Sequence, residues 1–308
     1  MTERERLLDE LRPTAFAIAY RMLGSVSEAE DVVQETLLRV HQTLQAGELI
    51  ASPHAFVATV TTRLAINQLR SARARRERYV GEWLPEPIIT DSTDDPAEHA
   101  EMADSLSVAM LVLLESLSPE QRAVLLLRDV FDYPFSDIAQ IVGKSEENVR
   151  QLATRARRHV DQRRPRFQST RERRDELTQQ FFAAAEHGDL AGLEVLLASD
   201  VQLTGDGGGK VPALARTLTG RSRVASTLIS WLYPDTRIPG VSRRLVEVNG
   251  GAGAVFRDPQ GRLISVWALD IANGQIRGIS SIVNPDKLRH LGQVGDAGSL
   301  LKSRTEAE

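Results

Sequence analysis

The chain has 308 residues, 42% of them apolar and 26% charged, which suits two or three globular domains and excludes wholesale disorder. It has no cysteine, which excludes disulfides, thiolate metal sites and a cysteine nucleophile. No apolar run approaches the ~18 residues of a membrane helix, and the charged start MTERERLLDE lacks a signal-peptide core, so a cytoplasmic protein with no membrane partner is expected.

The net charge of −4 is unevenly spread. Residues 63–78 hold six arginines against one acid, Glu77, and residues 79–106 hold eight acids and no Lys or Arg. Residues 144–166 hold eight bases against three acids. Two basic blocks around an acidic one suggest two contacts on one anionic partner. Solvated helix faces are the alternative.

In chain order, residues 5–23 read as a helix with Leu8, Leu11, Ala15, Ile18 and Met22 on one face, bent at Pro13 and stopped at Gly24. Ser27-Glu28-Ala29-Glu30 reads as a capping box opening a helix over 28–45 with Val33, Leu37, Val40 and Leu44 inward. After a loop at 46–53, Ser52-Pro53 opens a third helix, 53–76, with Phe56, Val60 and Leu64 toward its core. Thr59, Arg63, Asn67 and Arg70 form the opposite stripe of that helix; a polar and guanidinium row can follow a phosphate backbone or a single strand.

Residues 79–106 form an acidic linker with three prolines, in which Trp83 and Leu84 are too apolar to stay hydrated. Helical pattern resumes over 105–160 and again over 171–197, around Leu177, Phe181, Phe182 and Leu193. From 201 the period changes to two. Strands are expected at 241–248, 252–257, 262–271 and 275–283, joined by turns at Asn249-Gly250, Pro259-Gln260-Gly261 and Asn273-Gly274. The end of the chain, 291–308, reads as a disordered tail. The expected fold class is therefore multidomain: two all-α helical domains, then an α+β domain.

Residues 118–160 carry the most specific pattern. Ser118-Pro119-Glu120 opens a helix with Ala123, Val124 and Leu127 buried, and Ser136 caps a second. Val142-Gly143-Lys144 is a tight turn whose glycine can take positive φ. Ser145 caps a third helix with Val149, Ala153, Ala156 and Val160 inward. Its other face offers Asn148, Arg150, Gln151, Arg155 and Arg158. This is the layout of a DNA-reading helix-turn-helix. Amides pair with adenine edges, and arginines suit guanine edges or phosphates.

Together these residues resemble the extracytoplasmic-function group of the sigma-70 family of transcription initiation factors. Asp31-Val-Val-Gln-Glu-Thr36 is similar to the region 2.2 segment that docks on the β′ clamp helices of RNA polymerase. The resemblance assigns that contact to Asp31, Gln34 and Glu35. It assigns −10 contacts to Arg63, Asn67, Arg70 and Arg73, with a flipped base held in the loop 46–53, and −35 contacts to Asn148, Arg150, Gln151, Arg155 and Arg158. The implied domains are region 2 over 1–78 and region 4 over 107–166. The implied partners are core polymerase, through the β′ clamp helices and the β flap, and promoter DNA.

Three short motifs sharpen the resemblance. Trp83-Leu-Pro-Glu-Pro87, Asp206-Gly-Gly-Gly-Lys210 and Asn284-Pro-Asp-Lys-Leu288 resemble the SigJ-type subfamily, whose members carry a fused SnoaL-like domain of the nuclear-transport-factor-2 class. That implies a cone-shaped α+β domain over 171–290 that modulates sigma activity in cis. SnoaL relatives include polyketide cyclases, so an enzyme or metabolite sensor with a small ligand in the cone is the alternative. Acid/base chemistry there needs a titratable group on the inner wall. His187 and His290 lie off the expected strands, and Asp270 stands alone on one, so no enzyme, cofactor or metal is expected.

The 206–210 segment fails the phosphate-loop pattern, since Thr204 replaces the first glycine and Val211 follows the lysine. It reads as a flexible turn or an interdomain contact. In the second reading Trp83, Leu84 and Pro85 anchor the linker. Asp206, Gly207, Gly208, Gly209 and Lys210, with Asn284, Pro285, Asp286, Lys287 and Leu288, supply the receiving contacts.

Overall fold

The computed structural model describes residues 2–76, 78–90, 106–161, 170–233 and 240–299, with the side chains of 72–75 outside that description. The chain divides into two compact units, Met1–Arg78 with Leu113–Arg164, and Tyr79–Val112 with Pro165–Glu308. The two helical regions expected as separate bundles thus share one unit, and residues 79–90 and 106–112 belong with the C-terminal one. The acidic stretch 91–104 lies outside the described residues.

The helical unit begins with α1 (Glu3–Leu23), α2 (Val26–Gln45) and α3 (Pro53–Arg76). Thr2 and Glu5 form a capping box at the start of α1, and Gly24, at φ 65°, ends it in the left-handed region. Pro13 lies inside α1 on its exposed side and does not end it. The expected Ser27–Glu30 box is replaced by Ser25, whose side chain accepts from Glu28 N while Ser27 Oγ lies 3.1 Å from Ser25 Oγ. The left-handed Gly24 leaves Ser25 as the first extended residue, and only an extended N-cap can aim its hydroxyl at the next turn. On α3 the deepest side chains are Val57, Ala58, Thr61, Thr62 and Ala65, with Phe56, Val60 and Leu64 only half-buried. The reason is that α3 packs on two sides, against α1 and α2 and against the later helices α5 (Pro119–Asp129) and α6 (Phe135–Val142).

Helix α4 covers Val108–Leu114, and α7 covers Glu146–Asp161. Ser118 and Gln121 form a capping box on α5. Ser136 does not cap α6: Pro134 is the N-cap, and the Ser136 hydroxyl donates to Asp137 instead. Gly143, at φ 67°, makes the turn into α7, where Ser145 Oγ accepts from Asn148 N. Val124, Leu127, Ile138, Ile141, Val149 and Ala153 close this three-helix core.

The C-terminal unit contains α8 (Arg171–Glu186), α9 (Leu190–Leu196), β1 (Leu197–Asp206), β2 (Leu218–Thr219), α10 (Arg221–Leu232), β3 (Ser242–Val248), β4 (Gly251–Arg257), β5 (Leu263–Ala272) and β6 (Gln275–Ile282). They form one six-stranded sheet in the order β2-β1-β6-β5-β4-β3, antiparallel throughout except for the parallel pair β1–β6. Both Asn-Gly turns have positive φ at both positions, 55° and 72° at 249–250 and 54° and 72° at 273–274. That is the geometry whose twist matches a hairpin.

The helices cover one face of the sheet through Leu177, Phe181, Phe182 and Leu228 against Trp267, Leu269 and Ile279. Linker residue Leu84, with Val108 and Leu288, covers the other face over Val255, Val266 and Ile282. The expected disordered tail is too long. Leu263 N donates to Gln293 O at 2.8 Å, Gly295 N donates to Leu263 O at 2.8 Å, and Ala297 is buried in the helix-side core. Residues 300–308 of that tail lie outside the described residues.

Candidate functional site

Three surfaces carry the residues of interest. The first is α7. Its buried stripe, Val149, Ala153, Ala156 and Val160, packs inward and turns Asn148, Arg150, Gln151, Arg155 and Arg158 to solvent. Arg150 pairs with Glu146 and lies over the Phe135 ring, 4.6 Å from its centroid, which holds its guanidinium at the start of the helix. Arg157 is fixed differently, in a two-pronged pair with Asp129 that ties α7 to α5. An exposed amide-and-arginine edge behind a glycine turn is an arrangement that enters a major groove.

The second surface belongs to α2 and α3. Asp31 and Gln34 are exposed on α2, and Glu35 is half-buried with its carboxylate 2.7 Å from Arg39 Nε. On α3, Arg63, Asn67 and Arg70 are all exposed, and Arg63 and Arg70 also reach α6 and α5. Arg63 Nε donates to Ile141 O at 2.8 Å and Nη2 to Gln140 O at 2.7 Å. Arg70 Nη2 lies 2.5 Å from Glu120 Oε1. Burial raises the Glu120 carboxyl and the bond from Arg70 lowers it, leaving it below the usual range. The side chain of Arg73 lies outside the described residues.

The third surface gathers all three short motifs. Asp206 ends β1 fully buried, and its carboxylate accepts from Tyr79 Oη at 2.5 Å, Leu84 N at 2.8 Å and Lys287 Nζ at 2.6 Å. Lys287 also donates to Leu84 O and lies over the rings of Trp83 and Tyr79, 4.3 and 4.9 Å from their centroids. Asn284 Nδ2 donates to Tyr79 Oη at 2.7 Å. Burial, then the Asp206 carboxylate, push the Tyr79 phenol well above its usual range. Lys210 and Asp286 form an exposed ion pair at the rim. Pro85 is buried beside Leu84, and Leu288 is buried in the core beneath.

The glycines follow from this crowding. A Cβ on Gly207 would stand 2.1 Å from Val211 O, and one on Gly208, at φ 58°, would stand 2.2 Å from Asn284 Nδ2. Of the two readings of this segment, a flexible turn does not fit such close packing. Beyond it the linker meets the end of β3 in a single antiparallel bridge, Ile89 opposite Val248. Asn249 N donates to Ile88 O at 2.8 Å, and Thr90 N donates to Glu247 O at 3.0 Å. The buried Asn249 side chain accepts from Ile88 N at 3.0 Å. His290 Nε2 donates to Pro87 O at 2.7 Å. Sequence reading missed Tyr79, Asn249 and His290 here. Tyr79 follows an arginine run, and Asn249 reads only as a turn residue, so neither announces a partner over 100 positions away.

Aromatic rings cluster in the interior between helices and sheet. Trp267 lies 5.0 Å from Phe256, 6.1 Å from Phe182 and 6.0 Å from Trp231, centroid to centroid. Arg243, paired with Glu186, covers Phe182 at 4.4 Å. His187 is spent at the C-terminus of α8, where its ring lies 2.7 Å from Ala183 O. Asp270 has its carboxyl raised by burial, partly offset by Arg277. Among the described residues no helix is long and apolar enough to cross a membrane.

Models of sigma-70 region 2 and of sigma-70 region 4 match residues 7–75 and 107–160. The chain is 36% identical over 307 residues to the ECF RNA polymerase sigma factor SigJ of Mycobacterium tuberculosis, covering 96% of this chain and 94% of that protein. It is 30% identical over 275 residues to the probable ECF sigma factor SigI of that species, covering 88% and 90%. The crystal structure of Mycobacterium tuberculosis SigJ superposes with a TM-score of 0.73 at 33% identity, over 91% of this chain and 96% of that one. Helical regions matching in order, and likeness that runs on through the C-terminal α+β unit, place the chain among the extracytoplasmic-function RNA polymerase sigma factors, which are initiation factors and not enzymes.

Proposed function

We propose how the parts divide the work of promoter recognition. Asp31, Gln34 and Glu35 on α2 present an acid-and-amide face that suits the basic β′ clamp helices of core polymerase. Arg63, Asn67, Arg70 and Arg73 on α3 track the −10 strand. Asn148, Arg150, Gln151, Arg155 and Arg158 on α7 read the −35 duplex, with this region also meeting the β flap. The C-terminal unit holds the linker through Trp83, Leu84 and Asp206 and so modulates, in cis and in the cytoplasm, how regions 2 and 4 are deployed. The observation that carries this reading is the α7 edge, five amide and guanidinium side chains exposed together on a helix whose other face is fully buried.

Run-off transcription by full-length protein with core polymerase on sheared genomic DNA, with 5′ ends mapped by sequencing, tests this. Arg155→Ala or Gln151→Ala should cut initiation about tenfold, since a base contact is worth roughly 1–3 kcal/mol. Unchanged start sites and yields in both variants would refute the assignment of α7. A truncation after residue 168 is a poor substitute, because it strips the cover from Leu84 and Val108.

A further inference from the structure

We propose that Asn249-Gly250 is a spontaneous deamidation site held inert by the docked linker, so that release of the linker leaves a covalent mark on the turn that received it. Two Asn-Gly turns join strands of the same sheet, 249–250 between β3 and β4 and 273–274 between β5 and β6. Their backbones match, with φ 55° and 72° in one and 54° and 72° in the other. Their surroundings do not. Asn273 is exposed. Asn249 is 0% exposed and Gly250 is buried, and linker residues hold the two groups that would react. The Asn249 side-chain carbonyl accepts from Ile88 N at 3.0 Å. The Gly250 N–H donates to Thr90 Oγ1 at 2.9 Å. The main chain is tied as well, with Asn249 N donating to Ile88 O at 2.8 Å.

A glycine after asparagine has no Cβ to keep its nitrogen away from the side chain before it. In the reaction Gly250 N gives its proton to hydroxide and bonds to Asn249 Cγ, and the side-chain nitrogen takes a proton from water and leaves as ammonia. Water then opens the cyclic imide. Cleavage between the nitrogen and Cγ gives aspartate, and cleavage between the nitrogen and the main-chain carbonyl carbon gives isoaspartate. In sum one water is taken up and one ammonia is released. While the linker is docked, the Gly250 nitrogen keeps its proton in the bond to Thr90, and hydroxide has no path to the buried turn. Once the linker leaves, this turn is the equal of Asn273-Gly274. Either product changes the surface to which the linker returns. Isoaspartate adds a carbon to the main chain of a two-residue turn whose positive φ angles set the twist of the hairpin. Aspartate puts a charge where a neutral amide was fully buried, which is costly without a partner of opposite charge.

Incubation of the full chain at mildly alkaline pH, with peptide mapping by mass spectrometry at intervals, reads both turns in one sample. In the native chain Asn273 should convert and Asn249 should lag about tenfold or more behind, since it reacts only in the fraction of molecules whose linker is open. Thr90→Ala should speed Asn249 about fivefold, the scale of one neutral hydrogen bond, and Thr90→Ser should restore the native rate. Trp83→Ala, which loosens the linker from its other end, should speed Asn249 about tenfold with Asn273 unchanged. An Asn273→Gly background, in which the turn keeps its positive φ, leaves 249 as the Asn-Gly site that changes charge. The fraction deamidated there, separated by charge, should exchange Thr90 N about fivefold faster than the intact fraction. Equal rates at the two turns in the native chain, or an Asn249 rate unmoved by both Thr90→Ala and Trp83→Ala, would overturn the proposal. So would acceleration at both turns together in these variants, which reads unfolding of the sheet and not release of the linker. Unchanged Thr90 exchange in the deamidated fraction would overturn the claim that the mark alters the return of the linker.

Discussion

Lys287 Nζ lies 2.6 Å from the Asp206 carboxylate, and the two side chains are 8% and 0% exposed. This pair joins the second and third short motifs, and through Leu84 and Tyr79 it binds the first. Removing one member of a buried pair leaves an uncompensated charge, at a cost of about 3–5 kcal/mol. Lys287→Met should therefore lower the stability of the C-terminal unit by about that amount. Lys210→Ala, which breaks an exposed pair, should cost under about 1 kcal/mol. Tryptophan fluorescence during denaturation checks both, because all three tryptophans, Trp83, Trp231 and Trp267, lie in this unit. Similar losses for the two variants would contradict the account.

The Trp83 ring backs the Lys287 ammonium, and a cation over an aromatic face is worth about 0.5–2 kcal/mol as it is desolvated. Trp83→Ala should loosen the linker before it loosens the sheet. Hydrogen exchange at Asn249 N and Thr90 N, which bond across the linker edge, should quicken about tenfold. The amides of the β5–β6 ladder should hold. Equal acceleration in both places would mean that Trp83 supports the whole unit and not the linker.

Asp270 gives a pH signature. Burial raises its folded pKa, and Arg277 offsets this only in part because Arg277 is already paired with Asp200 at 2.8 Å. A carboxyl that holds its proton more tightly when folded loses stability as pH rises from its ordinary value through the raised one. Asp270→Asn should therefore be more stable than the native chain at pH 7. The advantage should shrink as pH falls toward about 3.9, the ordinary Asp value. Denaturation midpoints at several pH values check this, and a constant or inverted gap would refute it.

Much of the fold was legible because it is written locally. The Asn-Gly pairs mark hairpins by backbone preference alone, and the Gly143 turn with Ser145 sets α7 to within a residue. What stayed hidden depends on partners distant in the chain. β1 was not read as a strand because Ser199 and Asp200 break its alternation, where the pairing with β6 shifts register between Leu197 and Gln202. Asp206 looked like a turn residue, and only the fold brings Tyr79, Leu84 and Lys287 to it. Arg63 and Arg70 were legible as a cationic stripe. That region 4 answers the stripe with a helix end and a carboxylate was not, because backbone carbonyls leave no trace in side-chain patterning.

On the proposed reading, α3 and α7 grip separate stretches of one promoter while the chain rides on core polymerase. The most direct measurement is a hydroxyl-radical footprint of the reconstituted full-length holoenzyme on a promoter it initiates from. Two protected blocks are expected, with Arg155→Ala weakening only the upstream block and Asn67→Ala only the downstream one. A single block insensitive to both changes, or no stable association of the chain with core polymerase, would contradict the account.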